Sequence, residues 1–374
     1  MQFNRRQALA ATAAAAWPVA RAAGNDILVG QVGPFSGIPV PDAPELNAGI
    51  RAAFAQVNAK GGIGGRALQV FEVDDTYTGD GFVKAFAEAQ ARRPVALLSP
   101  VGSVAIKRML DDKLLDRADL VVINAIPGAE SLRTPGHPRL FHVRAGDRAQ
   151  IEKMVLHVRT LAVSRLAVLH QDIPIGTSGL AVAQEVAQRA GGLELAPVSS
   201  TLEPPALAAA AVKVQQREPQ AVLVLGAPRF MADAVGALRK AGATQFIFAL
   251  GYVPPGLLLK VAGPGARGVA LAHTYPNPNG ISLPVVREFR AAMQAAHPQI
   301  TTYSSFHLEG YLSARVLVEA LRRTRDTGAD ALAAALRGLG ETDLGGFRFD
   351  FSKGNVGSRF VDIGIVNADG RLVY

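Results

Sequence analysis

Val95-Ala96-Leu97-Leu98-Ser99-Pro100, then Val101-Gly102-Ser103 and a helical stretch to Leu114, then Leu120-Val121-Val122-Ile123-Asn124-Ala125, is the part of this 374-residue chain that decides the fold. The runs 95–98 and 120–123 are apolar at every position. A strand with one wet face would alternate, so these strands are covered on both sides. The stretch 103–114 has the length of a helix. Strand, helix and buried strand in that order make a parallel pair joined by a crossover helix.

The same order extends both ways. Upstream, 27–32 reads as a strand and 41–59 as a helix stopped by Gly61-Gly62. A strand at 67–73 and a helix at 79–91 follow. Downstream, a second series places strands at 165–170, 193–198, 221–225 and 246–250, with helices at 179–190, 207–217 and 230–241. Two successive runs of this kind predict an α/β protein with two doubly wound parallel-sheet lobes. One strand and then several helices occupy 269–339, with 284–296 and 304–324 the clearest. The stretch 346–351 is strand-like. Asp369-Gly370 within Asn367-Ala368-Asp369-Gly370 signals a closing hairpin.

Composition narrows the functions available. Hydrophobic residues make up 49% of the chain, enough for large cores, and charged residues only 19%, without a long like-charge block. The net charge of +8 is spread out with few aromatics beside it, which argues against nucleic-acid binding. There are no cysteines, so disulfides, thiolate zinc sites and cysteine nucleophiles are excluded. The seven histidines form neither H-x-x-x-H nor H-E-x-x-H. The glycines at 30, 33 and 37 do not spell G-x-G-x-x-G, and no phosphate loop or G-x-S-x-G is found. Asp74-Asp75 resembles a carboxylate pair, but neighbours on a strand point to opposite faces, so loop anchoring is the better reading. No cofactor and no metal are expected.

Arg5-Arg6, the apolar run 8–16 and Ala20-Arg21-Ala22 have the order of an export signal over 1–22, with the paired arginines suggesting a twin-arginine route. The apolar run is too short to span a bilayer. The working protein is therefore expected outside the cytoplasm, in the periplasm, where no nucleotide supply can be assumed.

Three motifs carry a family resemblance. They are Val29-Gly30-Gln31-Val32-Gly33-Pro34-Phe35-Ser36-Gly37, then Val57-Asn58-Ala59-Lys60-Gly61-Gly62-Ile63-Gly64-Gly65-Arg66, then Val73-Asp74-Asp75. Phe141-His142-Val143-Arg144-Ala145 and 311–321 agree more loosely. In order and spacing the chain resembles the leucine/isoleucine/valine-binding type of periplasmic solute-binding protein, which serves ABC importers. The resemblance covers nearly the whole mature chain. It implies a type I periplasmic binding protein fold, with a three-crossing hinge and a ligand in the cleft. Lobe 1 would take 24–143 plus 273–346 and lobe 2 would take 144–272 plus 347–374, with crossings near Arg144, His273 and Phe349. A monomer that hands a small molecule to membrane permease subunits is implied as well.

Candidate contacts follow from the rule that ligands sit beyond the carboxyl ends of strands, where helix N-termini attract anions. Gly102 permits close backbone approach. Ser103 can cap the next helix, or hold a ligand carboxylate as the resemblance implies. Ile126, Pro127 and Gly128 follow the next strand, with Gly128 where relatives carry Ser or Thr. Ser36 is a turn residue or a contact. Asp42 is a helix-start acid or a contact, at a place where relatives have an aromatic. On the second lobe, Ile175 stands where relatives place an aromatic, and Ala227 precedes Arg229, an anion donor or a solvated first-turn residue. Leu250 falls where amino-acid-binding relatives carry an acid, although Asp172 is nearby. Tyr252 could stack on a ligand, and Tyr275 could do so near the second crossing. An unpaired buried ammonium is costly, so the missing acid favours a carboxylate with an apolar or aromatic body over a branched α-amino acid. The reading is a non-enzymatic solute-binding component. The alternative is a sensor subunit that presents its bound state to a signalling receptor.

Overall fold

The computed structural model describes residues 26–37 and 42–374. The proposed signal, 1–22, lies outside the described residues. The elements run β1 (Ile27–Gly33), α1 (Asp42–Asn58), β2 (Leu68–Asp74), α2 (Gly79–Ala91), β3 (Ala96–Leu98), α3 (Ser103–Asp111), β4 (Val121–Ile123) and β5 (Leu140–Phe141). Next come α4 (Asp147–Thr160), β6 (Arg165–Gln171), α5 (Pro174–Ala190), β7 (Glu194–Ser200), α6 (Pro204–Gln216), β8 (Ala221–Leu225), α7 (Pro228–Lys240), β9 (Phe246–Ala249), α8 (Pro255–Ala262) and β10 (Val269–His273). The chain ends with α9 (Pro284–Ala296), α10 (Ser305–Arg323), α11 (Ala329–Gly338), β11 (Thr342–Asp343), β12 (Arg348–Phe349), β13 (Asp362–Val366) and β14 (Leu372–Val373). Among these residues no helix is long and apolar enough to cross a membrane.

The two series build two sheets of the same plan. The first has strand order β2-β1-β3-β4-β5, and the second contains β7-β6-β8-β9-β10 in the matching order. Both are parallel throughout these strands. β13 and β14 extend the second sheet antiparallel as the expected hairpin, with Gly370 at φ 68° in its turn. The strands in the opening stretch are fully buried, as their unbroken apolar character requires.

The chain passes between the lobes three times, so the fold is the expected type I one. The first passage lies between β5 and α4, and the second follows β10. The third comes later than Phe349. Phe347, Phe349 and Phe351 are buried in the first lobe's core, where Phe351 meets Phe141 edge-on at 5.2 Å. The Gly357 N–H donates to the His142 carbonyl and the Ser358 N–H to the Val143 carbonyl. Only from β13 does the chain join the second sheet, so the assignment of 347–374 to lobe 2 is corrected: 347–358 belong with lobe 1. Three large rings need a core, and the nearest one is the first lobe's.

Other differences are local. α5 begins at Pro174, five residues before the expected start, so Ile175 lies in a first helical turn rather than in a loop. Proline at a first helical position is pre-set for that conformation. α4 and α8 were not among the expected helices.

Candidate functional site

The strand order 2-1-3-4-5 places a switch point between the first and third strands of each lobe, where loops leave in opposite directions and open a crevice. In lobe 1 these are the loops after β1 and β3. In lobe 2 they are the loops after β6 and β8. Ser36, Asp42, Gly102 and Ser103 therefore fall at one switch point, and Ile175, Ala227 and Arg229 at the other.

Lobe 1 strains its backbone at this edge. Ser99 and Asn124, immediately after β3 and β4, have φ of 50° and 65°, and Thr76 and Tyr77 after β2 have 50° and 59°. Such conformations cost energy in non-glycine residues and collect at functional sites. Here they re-aim the chain. The Tyr77 ring lies 3.3 Å from where a Cβ on Gly102 would stand, and the side chain is half-exposed. Nothing in the sequence marks Tyr77, because its unusual backbone leaves no trace in composition.

Gly102, at φ 105°, is the N-cap of α3, and no side chain caps that helix. Ser103 is exposed in its first turn, which corrects the capping alternative. The first N–H groups of α3 are thus open to an anion, with the Ser103 hydroxyl beside them. Ser36 is a turn residue. Its hydroxyl and N–H, with the Phe35 N–H, donate to the Asp74 carboxylate. Asp75 accepts from the Tyr77 N–H, so both acids anchor the loop, as their placement on a strand end suggests.

Asp42 is buried, and its Oδ1 has no hydrogen-bond partner. Burial, then the charges of Glu45 and Glu309, push its carboxyl up to about 7, against a smaller opposing pull from Arg144. A helix-start acid in water would show none of this. A native state that keeps a proton the unfolded chain releases near 3.8 loses stability as pH rises from about 4 through about 7. Asp42→Asn should therefore stabilise the ligand-free protein at pH 8 by on the order of 2 kcal/mol, with the gain gone near pH 4. Thermal unfolding at several pH values tests this; a gain independent of pH would contradict it.

The loop after β4 touches the second lobe directly. Ile126, Pro127 and Gly128 are all buried, and the Gly128 carbonyl accepts from the Asp147 N–H at 2.9 Å. A Cβ on Gly128 would stand 2.0 Å from the Tyr252 hydroxyl and 2.2 Å from Asp147 Oδ1. Relatives' Ser or Thr has no room here, because the Tyr252 phenol fills that space. Tyr252 donates to Asp147, accepts from Gln150 at 3.4 Å, and lies under the Arg144 guanidinium at 4.7 Å. Its ring face and hydroxyl are both engaged, so the reading of Tyr252 as a free stacking platform is corrected: it is a strut between the lobes.

Arg144 centres this junction. It pairs with Glu309 at 3.3 Å, and Asn124 Nδ2 donates to the same carboxylate at 2.9 Å. Tyr275 donates to Asn124 Oδ1 at 3.3 Å, a hinge-packing role rather than a ligand contact. Burial is the largest influence on Arg144 and would lower its pKa, but Glu309 together with Tyr252, Tyr275 and Asp147 outweighs it and holds the guanidinium charged.

The remaining second-lobe candidates separate. Leu250 is fully buried in the lobe's core, so it is corrected to a packing residue. Asp172 is exposed. Arg229 is exposed and pairs with Asp233 one turn along at 2.7 Å, the solvated first-turn alternative. Ala227 and Ile175 are part-exposed at the switch point, and the Ala227 N–H is taken by Gln171. Among the described residues no group of three or more His, Cys, Asp or Glu could hold a metal ion.

Two lobes of one plan, meeting at the carboxyl ends of their strands across three crossings, define a two-lobed α/β binding protein. The chain belongs to the periplasmic binding protein family, whose model matches residues 26–371. It is similar to an extracellular ligand-binding receptor from Verminephrobacter eiseniae, with 52% identity over 93% of this chain and 100% of that one and a TM-score of 0.88. A substrate-binding periplasmic protein from Ralstonia solanacearum has 29% identity, 93% and 99% coverage and a TM-score of 0.81. An ABC transporter substrate-binding protein from Desulfitobacterium hafniense, solved in complex with Leu, shares the fold at 19% identity, 94% and 100% coverage and a TM-score of 0.78. Comparison with curated proteins gives no match.

Proposed function

We propose that this protein is the extracytoplasmic substrate-binding component of an ABC importer, and that it closes its lobes on a small carboxylate with an apolar or aromatic body. It does so without catalysis, as a monomer, and presents the closed form to membrane permease subunits. The observation that carries the ligand reading is the uncapped N-terminus of α3, with Gly102 and exposed Ser103 at the switch point. Helix N–H groups and a hydroxyl there suit a carboxylate. The adjacent apolar group Leu46, Val101, Ile126 and Phe306 suits a nonpolar body. The transport reading draws on the family and on the substrate-binding relatives. A ligand bridging both lobes favours the closed state because only that state offers both sets of contacts.

Isothermal titration and thermal shift against a panel of small carboxylates test the reading. We expect one class to bind saturably, and Ser103→Ala to weaken it roughly tenfold without loss of fold, as one charge-assisted hydrogen bond implies. A panel without heat or shift would sink the carboxylate reading, and unchanged affinity in the variant would remove Ser103.

A further inference from the structure

We propose that Asp42 determines which ligands are accepted, by pairing with a cationic nitrogen on the ligand from the first lobe. This rests on the carboxylate reading above and deepens it. The absence of an acid at Leu250 argued against such a nitrogen. Asp42 supplies that acid from the opposite wall.

Three observations converge on it. Asp42 is only 8% exposed, and its Oδ1 is without a partner. It sits at the carboxyl edge of the first sheet, one turn before Leu46, which packs with Val101 next to the α3 N-terminus. The Tyr77 phenol, whose ring borders Gly102, lies within reach of the Asp42 charge. An anion subsite, an unpaired acid and an aromatic wall thus share one corner of lobe 1.

The charges around Asp42 leave it in need of a cation. Glu45 lies on its own helix, and there Ser304 donates to it at 2.6 Å. From α10 come Glu309, already paired with Arg144, and His307, whose ring burial and then His297 hold near 4 and therefore neutral. Arg51, the base of α1, is turned to Asn47 and Glu72. Tyr77 from the β2–α2 loop adds no positive charge. An ammonium entering this corner would take the place of a proton on the carboxyl, so binding releases that proton.

The test uses matched acids with and without the nitrogen: phenylalanine and 3-phenylpropanoate, leucine and 4-methylpentanoate, 4-aminobutanoate and butanoate. Titration of the full mature chain should show an amine-bearing member binding at least tenfold tighter than its partner. Asp42→Asn should reduce that member's affinity by about 10- to 100-fold and bring the pair within about threefold. In the wild type, affinity for the amine-bearing member should rise at least about tenfold from pH 5 to pH 8, because Asp42 must give up its proton first. That measurement stands even if the variant folds poorly. A plain carboxylate binding as tightly as its amine partner, or an affinity that falls with rising pH, would overturn the proposal and leave the carboxylate reading intact. No binding by any of the six would overturn the carboxylate reading, and this proposal with it.

Discussion

Arg144→Ala should cost this protein about 3–5 kcal/mol of stability, read as a lower midpoint in urea unfolding. The cause is what the substitution leaves behind. Glu309 is 1% exposed, and its carboxylate is held by Arg144 and Asn124, with the Tyr275 phenol beside them on Asn124. Without the guanidinium, two neutral groups face a buried charge. Burial already pushes the Glu309 carboxyl up, and losing Arg144 pushes it further. The deficit should therefore be smaller at pH 5 than at pH 8, since protonation removes the stranded charge. Arg144→Met with Glu309→Leu should regain most of the loss, because neither charge is then buried alone. Additive losses in that cycle, or an Arg144→Ala protein as stable as wild type, would show that the pair does not hold the crossing.

The same residue marks where sequence reading stops. The β3-α3-β4 stretch was legible because a strand buried on both faces needs no partner information to be recognised. The repeated lobe was legible for the same reason, and the Asp369-Gly370 turn because its chemistry is local. Arg144 and Glu309 are 165 residues apart, and an isolated charge near a crossing reads as a surface residue. Tyr252 reads as a ligand platform until the space above Gly128 is seen to be filled. Other misses had signals. α4 carries Ile151, Met154, Val155 and Val158 on one buried face, at helical spacing. Pro174 announces the early start of α5. Asp42 and Gly102 were legible singly, as a helix-start acid and a strand-end glycine, but their meeting with Tyr77 was not, because it depends on two consecutive left-handed residues.

Gly310→Ala is expected to damage both the fold and the site. α1 and α10 cross at backbone contact. A Cβ on Gly310 would stand 2.0 Å from the Leu46 carbonyl oxygen, and one on Gly49 would stand 2.0 Å from the His307 carbonyl oxygen. Neither obstacle is a flexible side chain, so the helices must separate. Overpacking a core costs about 1–3 kcal/mol even where side chains can yield, and here the backbone must move. A loss of at least about 3 kcal/mol follows, and we expect much of the protein to be insoluble. Gly256→Ala is the control. It lies in the first turn of α8 with nothing within 4 Å of its added methyl, so it should be neutral or slightly stabilising. The consequence reaches the ligand corner because both helices end in it. Asp42 and Glu45 open α1, while Ser304, which caps α10, donates to Glu45. Any soluble Gly310→Ala protein should therefore show a weaker distinction between amine-bearing and plain carboxylates than wild type. Wild-type stability in that variant would mean the helices have slack, and that the corner is not set by their close crossing.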